Sequence, residues 1–311
     1  MWDPSRSRRW ASTAPSEIVR ETGRTLGRCF AESRPIVQVI FMMRFLTGAL
    51  LAGSALAVQH VAHVAVGAVT WALVTFAIYV FNGVTDTQED RANGSGRPIA
   101  RGDLSEHDAG LIAAIAATLA LLLGLLQGGR MPLLVLAMLL LGYLYSGSPF
   151  RWKRHPGGLF VVATGGGLLT YAAGHEAAGA LHHTAGFTIL ACVMSLWMGL
   201  VGAAKDLPDL EGDVKAGRRP GSLLWGERRA RLLIAFAALG LGTVFLVASV
   251  VLAPALTPEA VVLMIGACVV ALLVSGPLSY GNRERRRRPY RAFMMTQYGV
   301  HGTLFAQALA G

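Results

Sequence analysis

The chain has 311 residues, of which 53% are hydrophobic and only 15% charged, with mean hydropathy +0.50 and a formal net charge of +10. An average soluble domain carries about a quarter charged residues, so this composition excludes an ordinary water-soluble domain. The positive charge alone would suit nucleic acid, but its placement excludes that partner: apart from Arg44 and Arg130, every Lys and Arg lies in the N-terminal arm or in alternate connections between apolar runs.

In chain order, residues 1–35 come first as an arm rich in Arg and Ser. The arm lacks the apolar segment of a secretory signal. It reads as a cytoplasmic arm with an interfacial helix resting on anionic lipid. Beyond it, no Asp, Glu, Lys or Arg occurs in 45–85, 109–129, 131–150, 156–175, 177–204, 232–258, 260–282 or 292–311. A membrane-spanning helix needs about 20 apolar residues. The first run therefore holds two spans and each later run holds one, at roughly 36–58, 61–85, 108–128, 131–149, 157–176, 184–205, 230–252, 258–280 and 291–310. Helices are expected because backbone facing lipid must satisfy its own hydrogen bonds, and the runs are too long and too continuously apolar for barrel strands. The fold expected is all-α, a polytopic membrane bundle of about nine transmembrane helices around a central cavity, occupying 36–311.

The cationic connections share one side with the N-terminus, which the positive-inside rule makes the cytoplasm. The C-terminus then lies outside, and the membrane expected is a bacterial-type inner (plasma) membrane. The Arg run at 285–288 anchors its loop at the anionic leaflet. Cys29, Cys192 and Cys268 are odd in number and far apart, which suits packing rather than disulfide or metal chemistry. His175, His182 and His183 read as residues of an outer interfacial loop. Gln297, Tyr298 and His301 read either as cavity lining or as partners in helix–helix hydrogen bonds. Arg44 lies about ten residues inside the first span, where a lone charge is costly. It either points into the cavity, toward an acceptor carboxylate or a phosphate, or snorkels to the interface.

Chemistry concentrates at the ends of the second and sixth spans. The second runs into Asn82-Gly-Val-Thr-Asp86-Thr-Gln-Glu-Asp90, with Arg97-Pro98 following. The sixth runs into Lys205-Asp206-Leu-Pro-Asp209-Leu-Glu-Gly-Asp213, with Arg219-Pro220 following. Positions 82, 86 and 90, and positions 206, 209 and 213, each share one helix face. Glu89 and Glu211 fall off those faces and are expected in solvent. Pro208 is a candidate end or kink of its helix. The two stretches read as an internal repetition, and repeated halves place shared sites at their interface. For a single Asp a solvated helix end would be the better reading; two matching clusters at membrane mouths favour function. Aligned carboxylates repel unless cations join them, and hard oxygen donors at this density suit magnesium, which favours carboxylates together with phosphate oxygens. Two such clusters would hold Mg2+ around a diphosphate, while Arg97, Lys153, Lys205 and Arg219 offset the remaining phosphate charge.

These segments resemble the UbiA-type intramembrane prenyltransferase superfamily. The first Asp-rich motif with Arg97-Pro-Ile-Ala-Arg-Gly, the second motif, and Tyr145-Ser-Gly-Ser-Pro-Phe-Arg-Trp-Lys153 carry the resemblance, which covers nearly the whole chain. It implies Mg2+ dependence, an allylic prenyl diphosphate substrate and a lipid-facing opening for the isoprenoid tail. It assigns Asn82, Asp86 and Asp90 to one metal–diphosphate group and Asp206, Asp209 and Asp213 to the other. Arg97 and Lys153 would contact diphosphate, and Tyr145 would steady the cation or the acceptor. One departure stands out: the family's first motif begins Asn-Asp, and here the second position is Gly83. The function expected is transfer of the prenyl group to a small, electron-rich aromatic acceptor. A terpene cyclase of the same superfamily is the alternative, because ionisation is common to both. A transporter with acidic gating residues is the remote one.

Overall fold

The computed structural model describes residues 15–53, 58–180, 182–208 and 224–310. Among these the chain is helical, with no strand. Helix α1 (Pro15–Glu32) is amphipathic, and α2 (Pro35–Leu50), α3 (Val58–Thr85), α4 (Thr87–Ala92) and α5 (Pro98–Arg101) follow it. Then come α6 (Glu106–Gln127), α7 (Met131–Ser146), α8 (Pro156–Ala177) and α9 (Ala185–Leu200). The last are α10 (Glu227–Leu252), α11 (Thr257–Ser275), α12 (Arg283–Arg286) and α13 (Arg288–Ala310).

Among the described residues six segments are long and apolar enough to cross a bilayer: His60–Thr85, Glu106–Gln127, Pro156–Ala177, Ala185–Asp206, Glu227–Leu252 and Pro254–Ser275. The apolar helices α2 and α7 are shorter, at 16 residues each. The first expected span, 36–58, stops early: α2 ends in a turn through Gly53, whose φ of +75° is the left-handed region that glycine occupies without strain. The bundle turns its apolar side chains outward as well as inward. On α6, Leu111, Ile115, Leu119, Leu122, Leu125 and Leu126 are exposed, while Ala109, Ala113, Ala116, Ala120 and Gly124 are buried. A belt of this kind marks a lipid-facing surface, and the inner stripe of small residues lets helices approach closely. The crossing of α2 and α8 is closer still. A Cβ at Gly48 would overlap the Tyr171 backbone, and one at Gly174 would meet the Phe45 carbonyl carbon at 2.7 Å. The protein is therefore an integral membrane protein of all-α architecture.

Two terminal features aim the site. The second helix does not run unbroken through its motif: α3 ends at Thr85, and Asp86 (φ −98°, ψ 1°) caps the short α4. Amide bonds from Asp86 to the Asn82 carbonyl (2.9 Å) and from Asp90 to the Asp86 carbonyl (2.8 Å) nevertheless keep the one-face stacking. The sixth span tightens from α9 into a 3-10 turn over Val201–Asp206. Pro208 supplies the reason, since continuing the α-helix would press its ring on the carbonyl of Ala204. Leu207 instead bonds that carbonyl in the i→i−3 pattern, at 3.4 Å.

The arm is more firmly attached than an interfacial helix need be. Cys29 packs with Val80, Ile99, Leu104, Ala109 and Ala113, while Val19, Leu26 and Phe30 face outward. Cys192 and Cys268 are exposed on the outer face of the bundle.

Candidate active site

A cavity of about 190 Å³ opens among α2, α3, α7, α8, α9 and α13. Its walls are apolar, with Ile40, Phe41, Ile78, Met138, Leu141 and Phe293 among them. Its polar lining is Arg34, Arg44, Tyr79, Asn82, Tyr145, Ser146, Lys205 and Tyr290. The structure thus brings Asn82, Tyr145, Lys205 and Arg44, drawn from four helices and predicted separately, onto one cavity.

At the mouth the carboxylates are paired. Arg151 adopts a left-handed backbone (φ 43°) and starts a 3-10 turn over Trp152–Arg154. That turn delivers the Lys153 ammonium onto Asp86 Oδ1, and both side chains are almost wholly buried. Arg97 does not line the cavity and turns instead toward carboxylates. Its Nη1 donates to Asp90 Oδ2 at 2.8 Å, and its Nε meets Glu32 Oε1 at 2.7 Å. Glu89 is not in open solvent: its side chain is 15% exposed, and Arg154 Nη2 stands 3.8 Å from it. Asn82 Nδ2 donates to Ser146 Oγ at 2.9 Å, which leaves the carboxamide oxygen as its acceptor end. On the facing segment Lys205 Nζ lies 3.1 Å from Asp206 Oδ1. Asp209, Asp213 and Arg219, the rest of the second motif and its sequel, lie outside the described residues.

At the floor, Arg44 is 1% exposed and does not snorkel. Its Nη2 donates to Gln297 Oε1, and its guanidinium sits 5.4 Å from the Phe41 ring centroid. Beside it Tyr171 Oη and His301 Nε2 are 2.7 Å apart. At 1.5 Å rise per residue, Arg44 is about 15 Å below Arg34, near the middle of a 30 Å hydrocarbon layer. Among the described residues no carboxylate pairs with it. Tyr298 instead ties helices together, its hydroxyl donating to the Ile36 carbonyl at 2.9 Å. His175 lies in the last turn of α8 rather than in a loop and is buried, its ring tilted by 45° and 42° against those of His183 and Phe187. Arg286, in the basic run, reaches Glu227 Oε2 at 3.4 Å.

Among the described residues no three Asp, Glu, His or Cys side chains converge closely enough to enclose a metal ion. The donors still suit magnesium in kind, being carboxylate and carboxamide oxygens. Three carboxylates at the mouth, Glu32, Asp86 and Asp90, stand against two cations, Lys153 and Arg97. Glu89 with Arg154 and Asp206 with Lys205 pair one to one beside them, and Arg34 also lines the cavity, so the described mouth is close to charge balance and a divalent cation would enter by exchanging partners with these side chains.

The model of the UbiA prenyltransferase family matches residues 41–298. The chain belongs to that family. Over 141 residues it is 33% identical to a probable homogentisate phytyltransferase 2, chloroplastic, of Oryza sativa subsp. japonica, a stretch covering 43% of this chain and 37% of that protein. It is 28% identical over 159 residues to the 2-acylphloroglucinol 4-prenyltransferase, chloroplastic, of Humulus lupulus, covering 49% of this chain and 39% of that one. The chain thus spans under half the length of these curated relatives. A UbiA homolog from Archaeoglobus fulgidus, solved bound to GPP and Mg2+, superposes with a TM-score of 0.66 at 18% identity, over 88% of this chain and 99% of the other. At that identity the likeness establishes the fold.

Glu32 and Ser146 are not legible in the sequence as site residues. Glu32 stands 51 positions before Gly83, and no periodicity connects them. The one available signal is the missing carboxylate at position 83.

Proposed function

We propose that this family member is a Mg-dependent intramembrane prenyltransferase. It ionises an allylic prenyl diphosphate at the cytoplasmic mouth and passes the prenyl group to an electron-rich aromatic acceptor. The observation that carries the reading is one cavity with paired charges at its mouth, apolar walls and Asn82, Tyr145 and Lys205 on its rim. Asn82, Asp86 and Asp90 would hold metal on one side and Asp206, Asp209 and Asp213 on the other. Metal bound there supplies the positive charge that makes diphosphate a leaving group. Lys153, Lys205 and Arg219 offset phosphate charge, while Arg97 holds Asp90 in place. As the allylic C–O bond breaks, the apolar walls keep water from the carbocation and Tyr145 faces it. The acceptor ring carbon forms the new C–C bond and the ring proton leaves. Arg44, a buried cation with neutral partners, supports an acceptor that presents an anionic or strongly accepting group at the floor. The N-terminus and the mouth face the cytoplasm and the C-terminus the outside, in a plasma-membrane-type bilayer.

The test incubates purified protein with Mg2+ and C10, C15 or C20 prenyl diphosphate, with and without phenolic acceptors. Pyrophosphate release together with a prenylated phenol is expected. Release with a cyclic hydrocarbon and no acceptor would overturn the transferase reading in favour of a cyclase. No release from folded protein would overturn both, and leave the transporter.

A further inference from the structure

Gly83 departs from the motif, and the space beside it is filled. A Cβ built there would collide with Glu32 Oε1 and lie 2.8 Å from Arg97 Nη2 and 2.9 Å from Glu32 Cδ. Glu32 comes from the last residue of α1, outside the spans, and its side chain is fully buried. A buried carboxylate is costly unless it is paired and hydrogen-bonded. Glu32 is both: Oε1 meets Arg97 Nε, and Oε2 accepts from the Ile99 amide at 3.0 Å. Arg97 Nη2 also donates to the Glu32 carbonyl at 3.0 Å. The opposite end of the same guanidinium holds Asp90 by Oδ2, leaving Oδ1 to other ligands.

We propose that Glu32 is a positioning residue of the first Asp-rich motif: it occupies the volume that a side chain at position 83 would take, and it holds Arg97 so that Asp90 stays open to a metal ion. With Glu32 absent, Arg97 and Asp90 form a simple neutral pair, and the guanidinium is free to cover both oxygens of Asp90. Glu32 draws the guanidinium back and leaves the set of Glu32, Asp90 and Arg97 with one net negative charge. The N-terminal helix is thereby part of the site rather than a mere anchor. The metal-binding half of this inference rests on the proposed function; the packing half does not.

The test is reciprocal substitution in the full-length protein in nanodiscs: Glu32→Ala, Glu32→Gln, Gly83→Asp, and Glu32→Ala with Gly83→Asp. Two quantities are read on each: Mn2+ affinity by electron paramagnetic resonance, and amide exchange over residues 86–101 without metal. Outer-shell partners of metal ligands are worth about 10- to 100-fold in affinity. Each Ala or Asp single substitution should weaken Mn2+ binding by about tenfold and speed exchange, and Glu32→Gln, which keeps the Ile99 bond, should fall between. The double variant should recover most of both losses, because the carboxylate introduced at position 83 then has room and meets Arg97. A purely structural Glu32 would lower thermal stability without changing Mn2+ affinity. The proposal is overturned if Glu32→Ala leaves affinity and exchange at wild-type values, or if the double variant is no better than the worse single. If wild-type protein binds no Mn2+ and releases no pyrophosphate, the proposed function fails, and the exchange data alone decide whether Glu32 orders the motif.

Discussion

At the mouth of the cavity, Lys153 meets Asp86, and Arg97 meets Glu32 and Asp90. At the floor, more deeply buried, Arg44 meets the neutral Gln297, the hydroxyl of Tyr171 and the face of Phe41. Buried ions are expensive, and a pair recovers much of that cost where a lone ion does not. The mouth is therefore a charge lattice stable in itself, which a metal and a diphosphate can enter by exchanging partners. The floor carries an uncompensated charge whose energetics improve when an anionic or accepting group arrives. The same residue type thus has a structural part at one end and a recognition part at the other.

Breaking the mouth should have the largest effect. Asp86→Ala or Asp209→Ala should cut pyrophosphate release by at least about 10²- to 10³-fold, the scale of losing one preorganised electrostatic group. Near-normal release from either would refute the metal assignment. Lys153→Met comes next, because it takes the buried cation away from the Asp86 carboxylate. Breaking a buried pair from one side costs about 3–5 kcal/mol, so the thermal midpoint should fall. Added Mg2+ should restore part of that loss by binding the native state. The floor should answer in the opposite sense. Arg44→Met removes a lone buried charge and should leave the midpoint unchanged or raise it. It should raise the acceptor KM by about 10- to 100-fold, the value of one hydrogen bond to a charged group. Acceptor-independent pyrophosphate release should not change. A fall in the midpoint as large as that of Lys153→Met would erase the distinction between the two ends.

How much of this the sequence discloses follows the same division. Membrane character and the helix order are written in the charge-free runs, because lipid imposes one constraint along each whole span. The stacking of 82, 86 and 90 is legible because helix spacing puts them on one face; of the cluster at 205–213 the described residues hold only Lys205 to Pro208. Asn82, Tyr145, Lys205 and Arg44 are each nameable from local context, and the cavity unites them. What local context does not carry is pairing between distant elements. Nothing near Arg97 says that its guanidinium turns to Glu32 rather than to the cavity, and nothing near Arg44 chooses Gln297 over the interface. The end of α2 at Leu50 departs from the expected span because apolarity continues past it while residues 51–53 form a turn; hydropathy reports the solvent, not the backbone.

Cys29 gives the mildest test, a probe that reads the packing around Glu32 without touching the site. It is fully buried on α1, three residues before Glu32. Burial, then the charges of Glu32 and Asp108, push its thiol up to about 11. The thiolate is the reactive form. At pH 8 only about a thousandth of Cys29 is ionised, against about a tenth for a thiol of pKa 9. Alkylation of Cys29 by iodoacetamide, followed by peptide mass spectrometry, should therefore be slow and rise steadily from pH 8 to 10 without a plateau. Replacing Glu32 by Gln removes the second cause of the shift while keeping the size of the side chain. The thiol should then ionise more readily, and labelling at pH 9 should rise a few-fold. A plateau near pH 9 in the wild type would mean that α1 does not press Cys29 and Glu32 into the bundle. The carboxylate that fills the place beside Gly83 would then lose its footing.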